Sequence, residues 1–236
     1  MIKYIILVLV AYLLLPWYIL FPVLGLFVYS RIFRFHASAK HFDLYFGLPG
    51  SGKTTVLAEI ARQNSKNKKV VTLCNVPITG TYEVSRDDLG KFDISSSAFG
   101  VDDVVILYDE CSLDYFKRAY EDFSKRENTF HSMHRHVKVH EVFACQSWDG
   151  MDKRLRELNT RLYYVDRWYF NLIRIRRIEK DFTIDDETHK PTEGYEFVKF
   201  SSRFVYAPRV WHMFDSFDTS MLPKTPKKWK MWGCKD

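Results

Sequence analysis

His41-Phe42-Asp43-Leu44-Tyr45-Phe46-Gly47-Leu48-Pro49-Gly50-Ser51-Gly52-Lys53-Thr54-Thr55 passes from a short apolar segment through a glycine-rich loop. It continues into Lys53 to Gln63 (KTTVLAEIARQ), whose apolar spacing is helical. Gly47 to Thr54 satisfies the pattern G-x-x-x-x-G-K-[ST]. Glycines let consecutive backbone N–H groups turn toward phosphates, and the helix N-terminus adds partial positive charge. Nucleotide contacts are therefore expected from Gly47, Leu48, Pro49, Gly50, Ser51, Gly52, Lys53, Thr54 and Thr55. Lys53 would reach the β- and γ-phosphates of ATP, and the Thr54 hydroxyl would ligate Mg2+.

Downstream, Val104 to Glu110 (VVILYDE) is an apolar run ending in two carboxylates, the pattern of a buried parallel strand. Asp109 would hold the magnesium, directly or through water, and Glu110 would act as general base on the attacking water. Two more strands read from Lys69 to Asn75 (KVVTLCN) and from Val139 to Gln146 (VHEVFACQ). Gln146 stands where an ATPase with an additional strand places a sensor of the γ-phosphate. The expected class is α/β: a P-loop NTPase of the additional-strand type with a parallel core sheet. Cys74, Cys111 and Cys145 fall at strand ends on the ligand edge of such a sheet, either as reactive thiols or as small packing residues.

The chain has 236 residues, enough for one core with an appendage, and 35 basic against 29 acidic side chains give a net charge of +6. That excess is too small to identify a polyanionic partner. The cysteines lie far apart with no Cys-x-x-Cys pair, so neither zinc nor a disulfide framework is indicated. Charge is unevenly placed: only Lys3 precedes Arg31, and Tyr4 to Ser30 carries no formal charge. That run is long enough to cross a bilayer once, kinked at Pro16 and Pro22, with a shallow hairpin as the competing geometry. It exceeds a signal-peptide core, and Arg31 and Arg34 separate it from the small residues Ala37-Ser38-Ala39, so cleavage is not expected. Arg31, Arg34 and Lys40 place the C-terminal body in the cytoplasm by the positive-inside rule.

Ser124 to Glu127 (SKRE) is a capping-box pattern opening a helix toward His136. His131, His134, His136 and His140 mix helical and strand positions without a H-E-x-x-H arrangement, which argues against zinc. After Val165 the pattern alternates, so Arg167 to Lys180 and Gly194 to Tyr206 read as a β-hairpin joined through Asp185 to Glu193. Arg174, Arg176 and Arg177 could line a surface for single-stranded DNA with Trp168, Tyr169 and Phe170 available for stacking, or form a solvated strand face. The basic, aromatic tail from Lys224 to Lys235 suits DNA, anionic lipid or a partner, or no fixed structure. The domains expected are an anchor over 1–30, an ATPase core over 31–165 and a β-rich appendage with its tail over 166–236.

One succession of motifs is more specific. A strand ending in Asn75, His134-Arg135-His136, a strand ending in Gln146, and Asp152 to Leu158 (DKRLREL) follow the phosphate loop in order. Together with Ala207 to Asp218 (APRVWHMFDSFD), this order resembles the zonular occludens toxin family, which includes the assembly ATPases of filamentous phages. The resemblance spans roughly Phe42 to Asp218. It implies a membrane-bound ATPase of the host bacterial inner membrane, working as a homo-oligomeric ring with phage coat proteins and other assembly and export proteins. Its task would be to extrude single-stranded-DNA phage particles. A DNA translocase or secretion motor without a virion, or a nucleotide-binding scaffold, are the alternatives. In a ring, Arg156 is the first candidate by motif position to complete a neighbour's site, ahead of Arg135 and Arg154, unless it is an ordinary helix arginine. Familiar long members of the family carry their membrane segment after the ATPase, whereas here it precedes it. Enterotoxin activity is not expected to carry over.

Overall fold

Val104 to Leu107 and Val142 to Cys145 are fully buried, as strands covered on both faces must be. The computed structural model describes residues 8–9, 17–37, 40–89, 94–115, 125–148, 151–184 and 191–215. Its helices are α1 (Trp17–Ser30), α2 (Lys53–Asn64), α3 (Ser96–Phe99), α4 (Cys111–Asp114), α5 (Lys125–Met133) and α6 (Lys153–Leu158). Its strands are β1 (Phe42–Phe46), β2 (Val70–Cys74), β3 (Tyr82–Glu83), β4 (Asp103–Tyr108), β5 (Val139–Cys145), β6 (Arg161–Arg167), β7 (Leu172–Ile184), β8 (Pro191–Phe197) and β9 (Arg203–Tyr206).

Among the described residues these strands form one sheet in the order β3-β2-β4-β5-β1-β6-β7-β8, with β9 also paired to β7. From β3 to β6 every pairing is parallel. The pairings of β7 with β6, β8 and β9 are antiparallel. β5 separates the phosphate-loop strand β1 from β4, which defines the additional-strand arrangement. The segment expected to form one hairpin arm from Gly194 to Tyr206 is instead two strands, β8 and β9, divided by a turn in which Phe200 has φ 60. Both join β7, so the β-rich region continues the core sheet.

Alternation along the strands builds two apolar layers. On one face α2 lays Val56, Leu57 and Ile60 against Val105, Leu107, Val142 and Ile173. On the other, Phe42, Leu44, Ile106 and Phe143 meet Phe130 of α5 and Leu155 of α6. The same alternation divides the buried polar groups. Asp43 receives both Arg161 nitrogens at 2.6 Å and lies 3.1 Å from His140 Nε2 on the α2 side. His131 meets Glu141 at 2.6 Å and His134 Nδ1 lies 2.7 Å from His131 O on the opposite side.

α1 has 14 residues, about 21 Å of helix, and contains Pro22. Among the described residues no helix is long and apolar enough to cross a membrane. The rest of the expected Tyr4 to Ser30 span, at 4–7 and 10–16, lies outside them, as do Ser38, Ala39, Ser124, residues 185–190 and the tail from 216. Side chains on every side of α1 are exposed, including Phe21, Val23, Leu24, Leu26 and Phe27. The segment after it is stitched to the sheet. Phe204 N–H donates to Arg31 O at 2.8 Å, Phe33 N–H donates to Phe204 O at 3.0 Å, and Phe33 is buried.

Burial alone would raise the carboxyl of Asp43, but the hydrogen bonds from His140 and Arg161 outweigh it and hold it below its ordinary value. A lowered acid contributes stability that is complete above its unfolded value, near pH 4, and is lost as pH falls through the folded one. Asp43→Asn should therefore cost on the order of 3 kcal/mol in urea unfolding at pH 7. The gap to wild type should narrow below about pH 4; a gap constant with pH would contradict this role.

Candidate nucleotide site

The loop leaves β1 at Gly47 and enters α2 at Gly52, which takes φ 97, while Gly50 takes φ 72. Both values lie where L side chains are strained. Gly47 is required for another reason: a Cβ there would sit 2.3 Å from the carbonyl oxygen of Val165 in β6. At Gly52 it would sit 2.6 Å from Ile173 Cδ1 in β7. The loop is thus pressed against the β6–β7 flank, a constraint with no signal in the glycine spacing itself.

Lys53 is only 5% exposed, and its ammonium donates to Gly47 O at 3.0 Å and Leu48 O at 3.2 Å, which holds it across the loop. Thr54 Oγ1 donates to Asp109 Oδ2 at 2.5 Å. Asn75, at the end of β2, clasps the Asp109 backbone: its Oδ1 accepts from Asp109 N–H at 2.7 Å and its Nδ2 donates to Asp109 O at 2.9 Å. Glu110 follows in the left-handed region, φ 50, and Gln146 Nε2 donates to Glu110 Oε1 at 2.9 Å. The site residues expected from β1, β4 and β5 thus meet at one sheet edge, and the backbone clasp by Asn75 adds to them.

Burial raises the Asp109 carboxyl; Thr54 opposes this by its hydrogen bond, and the charge of Glu110 adds to it. A hydroxyl and a carboxylate in contact are hard oxygen donors of the kind magnesium takes. Ser51 Oγ and Glu110 Oε2 are buried without a hydrogen-bond partner among the described residues, which fits a polar ligand at this edge. These groups fit Mg2+ with a nucleotide's phosphates.

The other residues singled out in the sequence have partners or surroundings of their own. The Arg156 guanidinium lies 5.7 Å from the Trp148 ring centroid, Arg154 pairs with Asp152 at 3.2 Å, and Arg135 is exposed. Arg174 pairs with Asp166, Arg176 lies 3.9 Å from the Phe197 ring centroid, and Arg177 pairs with Glu179 at 3.0 Å. Cys74, Cys111 and Cys145 are buried, and burial pushes the thiol of Cys74 up to about 12 and holds that of Cys111 well above its ordinary value. They behave as packing residues.

Strand order, loop and carboxylate pair define the class: a P-loop NTPase fold of the additional-strand type. No family model matches the chain, and no curated protein matches its sequence. Among solved structures it is similar to the N-terminal domain of zonular occludens toxin from Neisseria meningitidis. That likeness has a TM-score of 0.50 and 16% identity, and covers 74% of this chain and 98% of the other. A weaker likeness is to the genome packaging NTPase B204 from Sulfolobus turreted icosahedral virus 2 in complex with ATP-gammaS, with TM-score 0.46 and 9% identity over 70% of this chain. The first likeness is one of fold.

Glycine substitutions should separate the two constraints on the loop. Gly50→Ala meets nothing within 4 Å and should cost only the price of its positive φ, about 1 kcal/mol. Gly47→Ala must displace backbone of β6 and should cost about 3 kcal/mol or more. Denaturant unfolding of the two variants checks the order; equal losses would contradict the close approach.

Proposed function

We propose that this chain is a magnesium-dependent ATP hydrolase that powers the assembly and extrusion of filamentous phage particles. The observation that carries the hydrolase reading is the contact of Thr54 with Asp109 beside the Glu110–Gln146 pair. The loop's N–H groups and Lys53 would hold the phosphates, and Thr54 and Asp109 would hold Mg2+, whose charge neutralises that developing on the transferring phosphoryl group. Glu110 takes the proton of the attacking water, and Gln146 fixes the carboxylate that does so.

The assembly role is supported by the order of motifs from Asn75 through His134-Arg135-His136 and Gln146 to the DKRLREL segment, together with the shared fold. A ring of copies, with coat proteins and other export proteins as partners and single-stranded DNA as a further one, belongs to the same reading. An anchor in the host inner membrane is supported by the exposed apolar surface around α1 and by the uncharged run that contains it. A tethered motor without a virion would use the same site.

ATP turnover by the detergent-solubilised chain is the test. Glu110→Gln should lower turnover by roughly 100-fold or more while ATP still binds, and Lys53→Ala should abolish turnover. Equal background rates in wild type and both variants would refute hydrolysis. For the assembly role, Lys53→Ala should stop particle release and leave intracellular single-stranded DNA in place; normal release would refute it.

A further inference from the structure

β6 runs beside β1 and overshoots it. Phe46, the last residue of β1, is level with Tyr164, whereas β6 continues to Arg167. The β6–β7 turn therefore stands above the phosphate-loop edge, with Val165 and Ile173 on its two arms closing on Gly47 and Gly52. Trp168 N–H donates to Leu172 O at 2.8 Å and Leu172 N–H to Tyr169 O at 3.2 Å, and the two residues between, Phe170 and Asn171, have φ 57 and 58. Asn and Gly take that conformation readily; a bulky aromatic there is a strained outlier. The strain presents Phe170 at 89% exposure beside Tyr169 at 73%. Trp168 behind them is braced, since Arg174 lies 4.1 Å from its ring centroid and pairs with Asp166. Trp168, Tyr169 and Phe170 are thus three exposed aromatics on one tight turn, the last two the more so.

The site itself decides which side a nucleoside leaves. Thr54, Asp109, Glu110 and Gln146 lie toward β4 and β5, where they would draw a terminal phosphate and its attacking water. A nucleotide so held would direct its sugar and base to the opposite flank, the one formed by β6 and β7. Ile173, at the start of β7, touches the loop, and Phe170 stands three residues away across the turn, at most about 10 Å along the chain and so within the reach of a ribose and its base. Resting on the proposed nucleotide site, we propose that Tyr169 and Phe170 form the stacking platform for the base of the bound nucleoside triphosphate. Stacking uses the π-face that every base has and reads no hydrogen-bond code. The ligand class is therefore purine nucleoside triphosphates, with ATP and GTP bound alike and the smaller pyrimidine ring of CTP held less well.

The test compares ligands with and without a base on the detergent-solubilised full chain, by displacement of a fluorescent ATP analogue. In the double variant Tyr169→Ala, Phe170→Ala, affinity for ATP and GTP should fall on the order of tenfold, while inorganic tripolyphosphate should bind as to wild type. Tyr169→Phe with Phe170→Tyr, which keeps both rings, should restore ATP binding. Unchanged ATP affinity in the alanine variant would overturn the platform, as would an equal loss for tripolyphosphate. Loss of vesicle binding or of self-association with nucleotide affinity intact would likewise overturn it and assign the turn to lipid or to a second copy. Lys53→Ala, by contrast, should weaken ATP and tripolyphosphate together. A wild-type chain that binds neither would overturn the site reading and the platform with it.

Discussion

A hydroxyl in the first turn of α2 meets a carboxylate just beyond β4 at 2.5 Å, although a whole strand stands between β1 and β4. The contact rests on the parallel register, in which β1 and β5 finish level and β4 stops two residues earlier. Phe46 is opposite Cys145, and Tyr108 is opposite Phe143. Asn75 then ties the end of β2 to the Asp109 backbone from the other side. Shifting one strand by a single residue would exchange the side chains of its two buried faces and also carry its site residue away from the edge. Packing and chemistry are thus fixed by the same pairing. The buried alternation of Val104 to Tyr108 and of Val139 to Cys145 stabilises the register that aligns Asp109, Glu110 and Gln146.

The parallel strands were legible because their signal is local: a continuous apolar run bounded by polar residues means burial on both faces. The phosphate loop was legible because its spacing answers a chemical demand that few other sites make. What could not be read has its cause at a distance. Nothing near Gly47 announces the Val165 carbonyl pressed against it, and nothing near Arg31 to Phe33 announces their bonding to Phe204. The segment from Gly194 to Tyr206 alternates like one strand, yet it breaks at Phe200 because β7 is long enough to be paired by two short strands in succession. Glu110 in a left-handed conformation is likewise invisible in an acidic pair at a strand end.

The histidines show how a motif can be conspicuous for a reason other than chemistry on a ligand. His131 and His134 are buried with Glu141 on one face, and His140 is buried with Asp43 and Arg161 on the other. These residues lie toward the start of β1 and β5, at the end of the sheet away from the phosphate loop. A polar group in such a position is costly unless partnered, so each partner constrains where α5 and β6 may sit. Among the described residues, polar clusters thus stand at both ends of the sheet: the distal two, one on each face, hold its strands in place, and the proximal one surrounds the phosphate loop.

The strut after α1 touches more than the sheet edge. Gln63, in the last turn of α2, accepts from Phe35 N–H at 2.9 Å and donates to Phe33 O at 3.2 Å, while Thr54 stands in the first turn of that helix. A helix resists extension because its hydrogen bonds run along its axis, so α2 behaves as a short rod of about 18 Å between the strut and the phosphates. Force applied at α1 has a direct load path to the loop, and a displacement of the loop is returned along it. The helix that carries Thr54 in its first turn is thus the one that the segment after α1 grips at its last.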